Sequence, residues 1–289
     1  MTKQRITVLC LLSFVLFATG CQHLGSQQQF KIEAEKYRLD NGLEVILHQD
    51  KSDPITAVAL QFHVGSNRET PGRTGLAHLF EHVMFQESQH VGQDQFFKNI
   101  QAAGGTLNGG TGPDSTTYFE VVPNNALEMV LWMEADRMGY LLSRVTQEAF
   151  INQQNVVQNE KRQVVDNRPY GHTDYVIGKL LYPEGHPYNW TVIGSMEDLT
   201  NASLKDVHAF HQQWYRPGNA TLVVAGDFDP TQTKGLIEKY FGEIPAGDAV
   251  ADPVAIPVKL PETRRAFHED NFAQAPKLDM VFPTVEEYH

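Results

Sequence analysis

The pentapeptide His78-Leu79-Phe80-Glu81-His82 joins two imidazoles and a carboxylate at helical spacing. Residues i, i+3 and i+4 of a helix share one face. On a helix, His78 and His82 would point at one metal ion from successive turns, with Glu81 beside them. Zinc suits two imidazoles and a carboxylate, and a catalytic zinc keeps a fourth position for water. The ion lowers the pKa of that water towards ~7, and a carboxylate takes its proton as it attacks a carbonyl. The chemistry this spacing suggests is therefore hydrolysis. The plain alternative is a pair of helix histidines satisfied by backbone or solvent. It is disfavoured because the surrounding residues Leu76, Leu79, Phe80, Val83 and Met84 are apolar. Burying three polar side chains among them without a shared ligand would be costly.

A third ligand is needed, and several Glu residues could supply it. Glu160 lies in Val157-Gln158-Asn159-Glu160-Lys161-Arg162. On its own, a Glu beside Lys and Arg reads as a solvated helix face. His208 and His211 are also spaced i, i+3, but no acidic cluster accompanies them, and they read as surface histidines.

The elements that must position these residues are legible from periodicity. Phe30–Leu39 and Leu43–His48 alternate apolar and polar residues around the turn Asp40-Asn41-Gly42, as in a β-hairpin. Ile55–Val64 is apolar enough for a central strand, and Ala220–Ala225 for a buried one. Gly65–Thr74 reads as a polar loop. Helical spacing predicts helices over Gly75–Phe85, Gln93–Ala103, Pro123–Leu142, Thr146–Asn167, Thr173–Leu181, Leu204–Tyr215 and Thr231–Phe241. Thr106–Asn108 and Ser115–Val121 read as strands around a Gly-Pro-Asp turn. Strands and helices mix without strict alternation. The fold class is therefore α+β, a mostly antiparallel sheet packed with helices. A Pro-, Ala- and Asp-rich linker follows at 246–262. Two more strand-like runs, Arg264–Glu269 and Lys277–Pro283, look like the opening of a second domain (263–289), too short to bury a core of its own.

With 289 residues, 41% hydrophobic and 20% charged, the chain has the composition of an ordinary globular protein. Its 23 Lys+Arg against 35 Asp+Glu leave a formal charge of −12, which argues against nucleic acid as a partner. The two cysteines, Cys10 and Cys21, lie near the N-terminus, so the body has no Cys-based zinc knuckle or disulfide framework. Lys3 and Arg5, the apolar run Ile6–Phe17 and the small residues Ala18-Thr19-Gly20 describe a secretory signal over 1–20. Ala-Thr-Gly-Cys also resembles a bacterial lipobox, which would acylate Cys21 and leave 21–29 as a tether. A plain signal peptide or an uncleaved anchor are the alternatives. Gln22 after the cysteine favours outer-membrane sorting by that resemblance, on the periplasmic side of a Gram-negative-type envelope.

Gly75-Leu76-Ala77-His78-Leu79-Phe80-Glu81-His82-Val83-Met84-Phe85 resembles the inverted zinc motif of the pitrilysin/insulinase (M16) metallopeptidases. The likeness continues through Gly104-Gly105-Thr106-Leu107-Asn108, Asp114, Thr116, Tyr118 and Glu134-Ala135-Asp136-Arg137-Met138. It extends to His186-Pro187-Tyr188, Ile193-Gly194 and the stretch from Tyr215 to Asp227, covering about residues 31–245. The resemblance implies a zinc peptidase domain over 30–245, with His78 and His82 as Zn2+ ligands and Glu81 as general base. It makes Glu160 the third ligand. It places Asn108 on a strand edge that binds an extended peptide by β-augmentation; a turn residue beside Gly109-Gly110 is the alternative. It also implies a second domain of the same fold, in cis or on a partner chain, which closes the chamber and donates an Arg/Tyr pair to the substrate carbonyl. One departure stands out: Gln153 occupies a position where the family usually has Glu, removing a negative charge near the metal. Two functions follow. One is a zinc endopeptidase acting on peptides or unfolded protein. The other is a catalytically weak or inactive lipoprotein that binds peptides or serves as a partner subunit.

Overall fold

The computed structural model describes residues 31–254 and 256–284. The signal over 1–20, the tether and Cys21 lie outside the described residues.

A six-stranded mixed sheet organises the chain. Its strands are β1 (Glu35–Arg38), β2 (Glu44–Gln49), β3 (Ile55–Phe62), β4 (Thr106–Thr111), β5 (Thr116–Pro123) and β6 (Ala220–Gly226). Their order is β1-β2-β6-β3-β5-β4. The expected hairpin forms: Glu35 pairs with Leu47 and Arg38 with Glu44. Its turn needs a left-handed residue, and Gly42 supplies it at φ 91°. The Asn41 amide then donates to the Phe241 and Ile244 carbonyls at 2.7 and 2.9 Å, tying the turn to the end of the domain. β6 arrives from far along the chain and slots between β2 and β3, parallel to β2 and antiparallel to β3. Every other pair is antiparallel, as the α+β reading expects. β4 is the last strand on its side and leaves one edge unpaired within the sheet.

Alternation decides which face is core. Val58, Leu60 and Phe62 of β3, with Val45, Leu47, Tyr118, Leu222 and Val224, are buried beneath the helices. The helices are α1 (Leu76–Val83), α2 (Gln95–Ala102), α3 (Leu127–Tyr140), α4 (Gln147–Lys161), α5 (Thr173–Leu181), α6 (Met196–Asn201), α7 (Leu204–Trp214) and α8 (Pro230–Phe241). Thr146 caps α4 by accepting the Ala149 N–H at 3.1 Å, as its position before the helix predicts. Leu79, Phe80 and Val83 bury α1 in the core, where Phe80 meets Phe210 and Tyr215 of the α7 region.

Several expectations change. Pro123 closes β5 rather than opening a helix, and a 3-10 turn at Asn124–Ala126 leads into α3. β4 runs on through Gly109 and Gly110 to Thr111, because the ladder with β5 holds residues of low strand preference. His211 is not a surface histidine: it is buried, with its ring lying over Tyr215. The runs Arg264–Glu269 and Lys277–Pro283 form no strand, since their backbones find no ladder partner among the described residues. Side chains hold this segment instead. Arg264 donates to the Leu180 carbonyl at 2.6 Å, and Asp270 accepts the Tyr170 N–H at 2.7 Å.

Candidate metal centre

α1 packs between α4 and the edge strand β4, and these three elements build the site. His78 and His82 leave α1 on one face, one turn apart, with ring centroids 4.9 Å from each other. Glu160, near the C-terminal end of α4, meets both. Its Oε2 lies 3.8 Å from His78 Nε2 and 3.3 Å from His82 Nε2. One donor atom from each of the three residues falls within 4.8 Å of the others, the one such group among the described residues. Directly after Glu160 and Lys161 the helix widens into a π turn over Arg162–Asp166, and Asn167 N–H reaches Arg162 O at 2.8 Å. Such turns recur at functional sites.

Glu81 stands beside the trio on the same helix and is only 8% exposed. Burial raises its carboxyl above the usual carboxylate range, while the Thr111 hydroxyl, donating to Oε2 at 2.6 Å, pulls it down. Thr111 belongs to β4, so the edge strand grips the carboxylate directly. The strand comes this close because residue 109 is glycine. A Cβ there would sit 3.1 Å from the Phe85 ring and 3.2 Å from Glu81 Oε1. Asn108 is a strand residue, not a turn residue, and its Oδ1 accepts the Gly109 N–H at 2.9 Å. A cavity of about 770 Å³ opens over the site, lined by the trio and Glu81 together with Asn108, Thr111, Gln153, Phe85 and Phe97.

Burial pushes His78 down to about 4, so its imidazole is neutral at physiological pH and keeps a lone pair for an ion. Its Nδ1 is buried with no hydrogen-bond partner among the described residues. Two imidazole nitrogens and a carboxylate oxygen are the donor set of a three-ligand zinc centre. Around a tetrahedral zinc such atoms lie about 3.3 Å apart. The His82–Glu160 separation of 3.3 Å equals that spacing, and the His78–Glu160 separation of 3.8 Å is slightly longer. The residues present therefore fit a zinc ion.

Two residues here escaped sequence reasoning. Thr111 was hidden because a Gly-Gly pair precedes it and breaks any visible strand pattern. Glu69 sits in the stretch read as a polar loop, yet it is buried at 8% exposure. Its carboxylate accepts the Gly75 N–H at 3.0 Å and the Ala77 N–H at 2.7 Å. The available signal was a helix starting at glycine, with no capping side chain of its own.

Behind the cavity lies a second group of buried charges. Arg137 of α3 donates from Nε to Glu134 Oε2 at 2.9 Å and also bonds Glu134 through Nη2. Nη2 meets Glu120 Oε1 of β5 at 3.4 Å. The guanidinium carbon stands 4.2 Å from the centroid of the Tyr118 ring, 4.5 Å from that of Phe96 and 5.3 Å from that of Phe85.

Comparison with known proteins bears on this arrangement. The model of "Insulinase (Peptidase family M16)" matches residues 44–180, and that of "Peptidase M16 inactive domain" matches 201–289. The chain belongs to the M16 peptidase family. Within it, the chain is 33% identical over 227 residues to the zinc protease PqqE of Helicobacter pylori, spanning 78% of this chain and 50% of that relative. A protease crystal structure from Helicobacter pylori superposes with a TM-score of 0.73 at 32% identity, over 78% of this chain and 53% of that one. The periplasmic protease PqqL from Escherichia coli shares the fold (TM-score 0.71, 23% identity), over 79% of this chain and 26% of that one. The chain thus spans about half the length of the first of these relatives or less.

Proposed function

We propose that this chain is the zinc-holding half of a metallopeptidase that hydrolyses peptides bound as an extended strand. One observation supports the reading above all. The donor atoms of His78, His82 and Glu160 lie within 4.8 Å of one another, beside the buried carboxylate of Glu81. His78 and His82 would hold the ion from α1, and Glu160 from α4. Zinc, when bound, would polarise the scissile carbonyl and acidify water.

Glu81 takes up the proton of the attacking water and later returns it to the leaving amine. Its raised carboxyl suits that exchange, and the Thr111 hydroxyl fixes the oxygen that does not receive the proton. The open edge of β4 supplies backbone N–H and C=O groups to an extended peptide, and Asn108 lies on that edge. Gly110 leaves open space there, since a Cβ on it would meet nothing within 4 Å. In the same reading residues 30–245 are the peptidase domain and 246–262 a linker. Residues 263–289 begin a second M16-like domain that closes over the peptide. The relatives named as zinc proteases support this reading, and the periplasmic relative supports a periplasmic location. In the same reading the signal and a lipid on Cys21 would deliver the chain there.

Gln153 favours a second reading. It is a buried amide facing the cavity from α4, and it adds no charge to the metal surroundings. A protein with a weakened centre would bind peptides without turning them over quickly. Replacing Glu81 by Gln separates the two. For the peptidase, Glu81→Gln keeps zinc, measured by metal analysis, and loses about 10²–10⁴-fold in cleavage of an unfolded peptide. Unchanged cleavage by Glu81→Gln would remove Glu81 from the mechanism. Absence of cleavage in both forms, with peptide still bound, would select the second reading.

A further inference from the structure

The first turn of α1 is held from outside the helix. An α-helix begins with N–H groups that lack intrahelical partners. Here Gly75 precedes the helix at φ 85° and has no side chain to cap it. Glu69, six residues upstream, supplies both of its carboxylate oxygens instead. One accepts Gly75 N–H at 3.0 Å and the other Ala77 N–H at 2.7 Å. The opposite side of the turn is clamped by the loop after α5. A Cβ on Gly75 would fall 2.6 Å from Ile193 O, and one on Gly194 would fall 2.4 Å from Gly75 N. Thr74 donates N–H and hydroxyl to Asp198 at 2.9 and 2.5 Å.

His78 follows Ala77 directly. Metal-binding histidines usually have their second ring nitrogen fixed by a hydrogen bond. The Nδ1 of His78 has no such partner among the described residues, so the ring depends on the backbone beneath it. That backbone depends on Glu69. We infer that Glu69 is a positioning residue for the metal centre: by anchoring the first turn of α1, it aims His78 at the point shared with His82 and Glu160. The inference rests on the zinc reading of that trio and adds a residue nine positions before His78, outside the pentapeptide itself.

A cap matters to stability wherever it occurs, so the test compares two caps. Asp229 accepts Gln232 N–H at 2.8 Å and caps α8, which contributes nothing to the cavity. Zinc affinity of the chain is measured by competition with a chromophoric chelator, and Tm of the zinc-free protein by circular dichroism. The expected result is that Glu69→Ala and Asp229→Ala both lower Tm, while only Glu69→Ala lowers zinc affinity, by about 10–100-fold. Glu69→Gln, which keeps the size and one acceptor, should fall between Glu69→Ala and the native protein. It carries the test alone if Glu69→Ala does not fold. Wild-type zinc affinity in Glu69→Gln and Glu69→Ala would overturn the inference. Failure of the native chain to bind zinc would instead overturn the metal reading on which it stands.

Discussion

Two groups of charged side chains lie on either side of Phe85, and they meet the same difficulty differently. Behind the ring, Glu120 and Glu134 are buried against Arg137, whose guanidinium is covered by Tyr118, Phe96 and Phe85. In front of it, Glu160 converges with His78 and His82, and no Lys or Arg among the described residues joins them within ion-pair distance. The rear group carries its own cation and is closed. The front group gathers donors around a point that the protein does not fill, under an open cavity. The rear carboxylates are fully buried and pair with a cation of the chain, whereas Glu160 is partly exposed and meets only imidazoles. The rear group is built as scaffold, and the front group has the donor set that the proposed zinc centre needs.

The sharpest way to break this contrast is to remove the cation that the chain provides. Arg137→Met leaves two carboxylates buried without a partner and should lower unfolding free energy by about 3–5 kcal/mol in urea titrations. Glu160→Gln, on a partly exposed helix face, should change the zinc-free stability by no more than about 0.5 kcal/mol while removing most zinc binding. Equal stability losses in the two variants would erase the distinction between scaffold and site.

Acid gives the next largest effect, and it acts on one histidine of the front group and one outside it. Burial holds His78 and His211 at about 4, below the ordinary histidine value of 6.5. Between those values the unfolded chain takes up protons that the folded chain does not. Stability of the zinc-free protein is therefore intact above pH 6.5 and falls as pH drops towards 4. Each histidine contributes up to about 3 kcal/mol to that loss. Denaturant titrations at pH 7 and pH 4.5 check the slope. His211→Phe should remove part of it and leave zinc affinity unchanged, since His211 packs on Tyr215 away from the trio.

The smallest effect sharpens the role of the edge strand. Thr111→Val removes the hydroxyl from Glu81 and should raise that carboxyl further. Turnover is expected to fall about tenfold, with the acid limb of the pH–rate profile moved to higher pH and zinc content unchanged. An unmoved acid limb would separate Thr111 from the proton-transfer step.

The local parts of this protein were decided by its own amino-acid order. Apolar residues alternating in β3 and recurring every three or four positions in α1 specify the elements. The spacing His78, Glu81, His82 puts three groups on one helix face whatever surrounds it, because backbone geometry over five residues leaves no other choice. The hairpin turn at Gly42 and the cap at Thr146 were legible for the same reason. Glu160 was not readable in this way. Beside Lys161 and Arg162 it looks like a solvated surface residue, and family resemblance rather than spacing singled it out. Its meeting with the histidines depends on α4 packing against α1, a contact across 78 positions from His82 to Glu160. The insertion of β6 between β2 and β3, the burial of His211, and the reach of Thr111 and Glu69 to α1 were likewise decided by packing. Short-range dihedral geometry is encoded within a few neighbours, whereas which distant surfaces meet is determined only when the whole core closes and every buried polar group must find its partner.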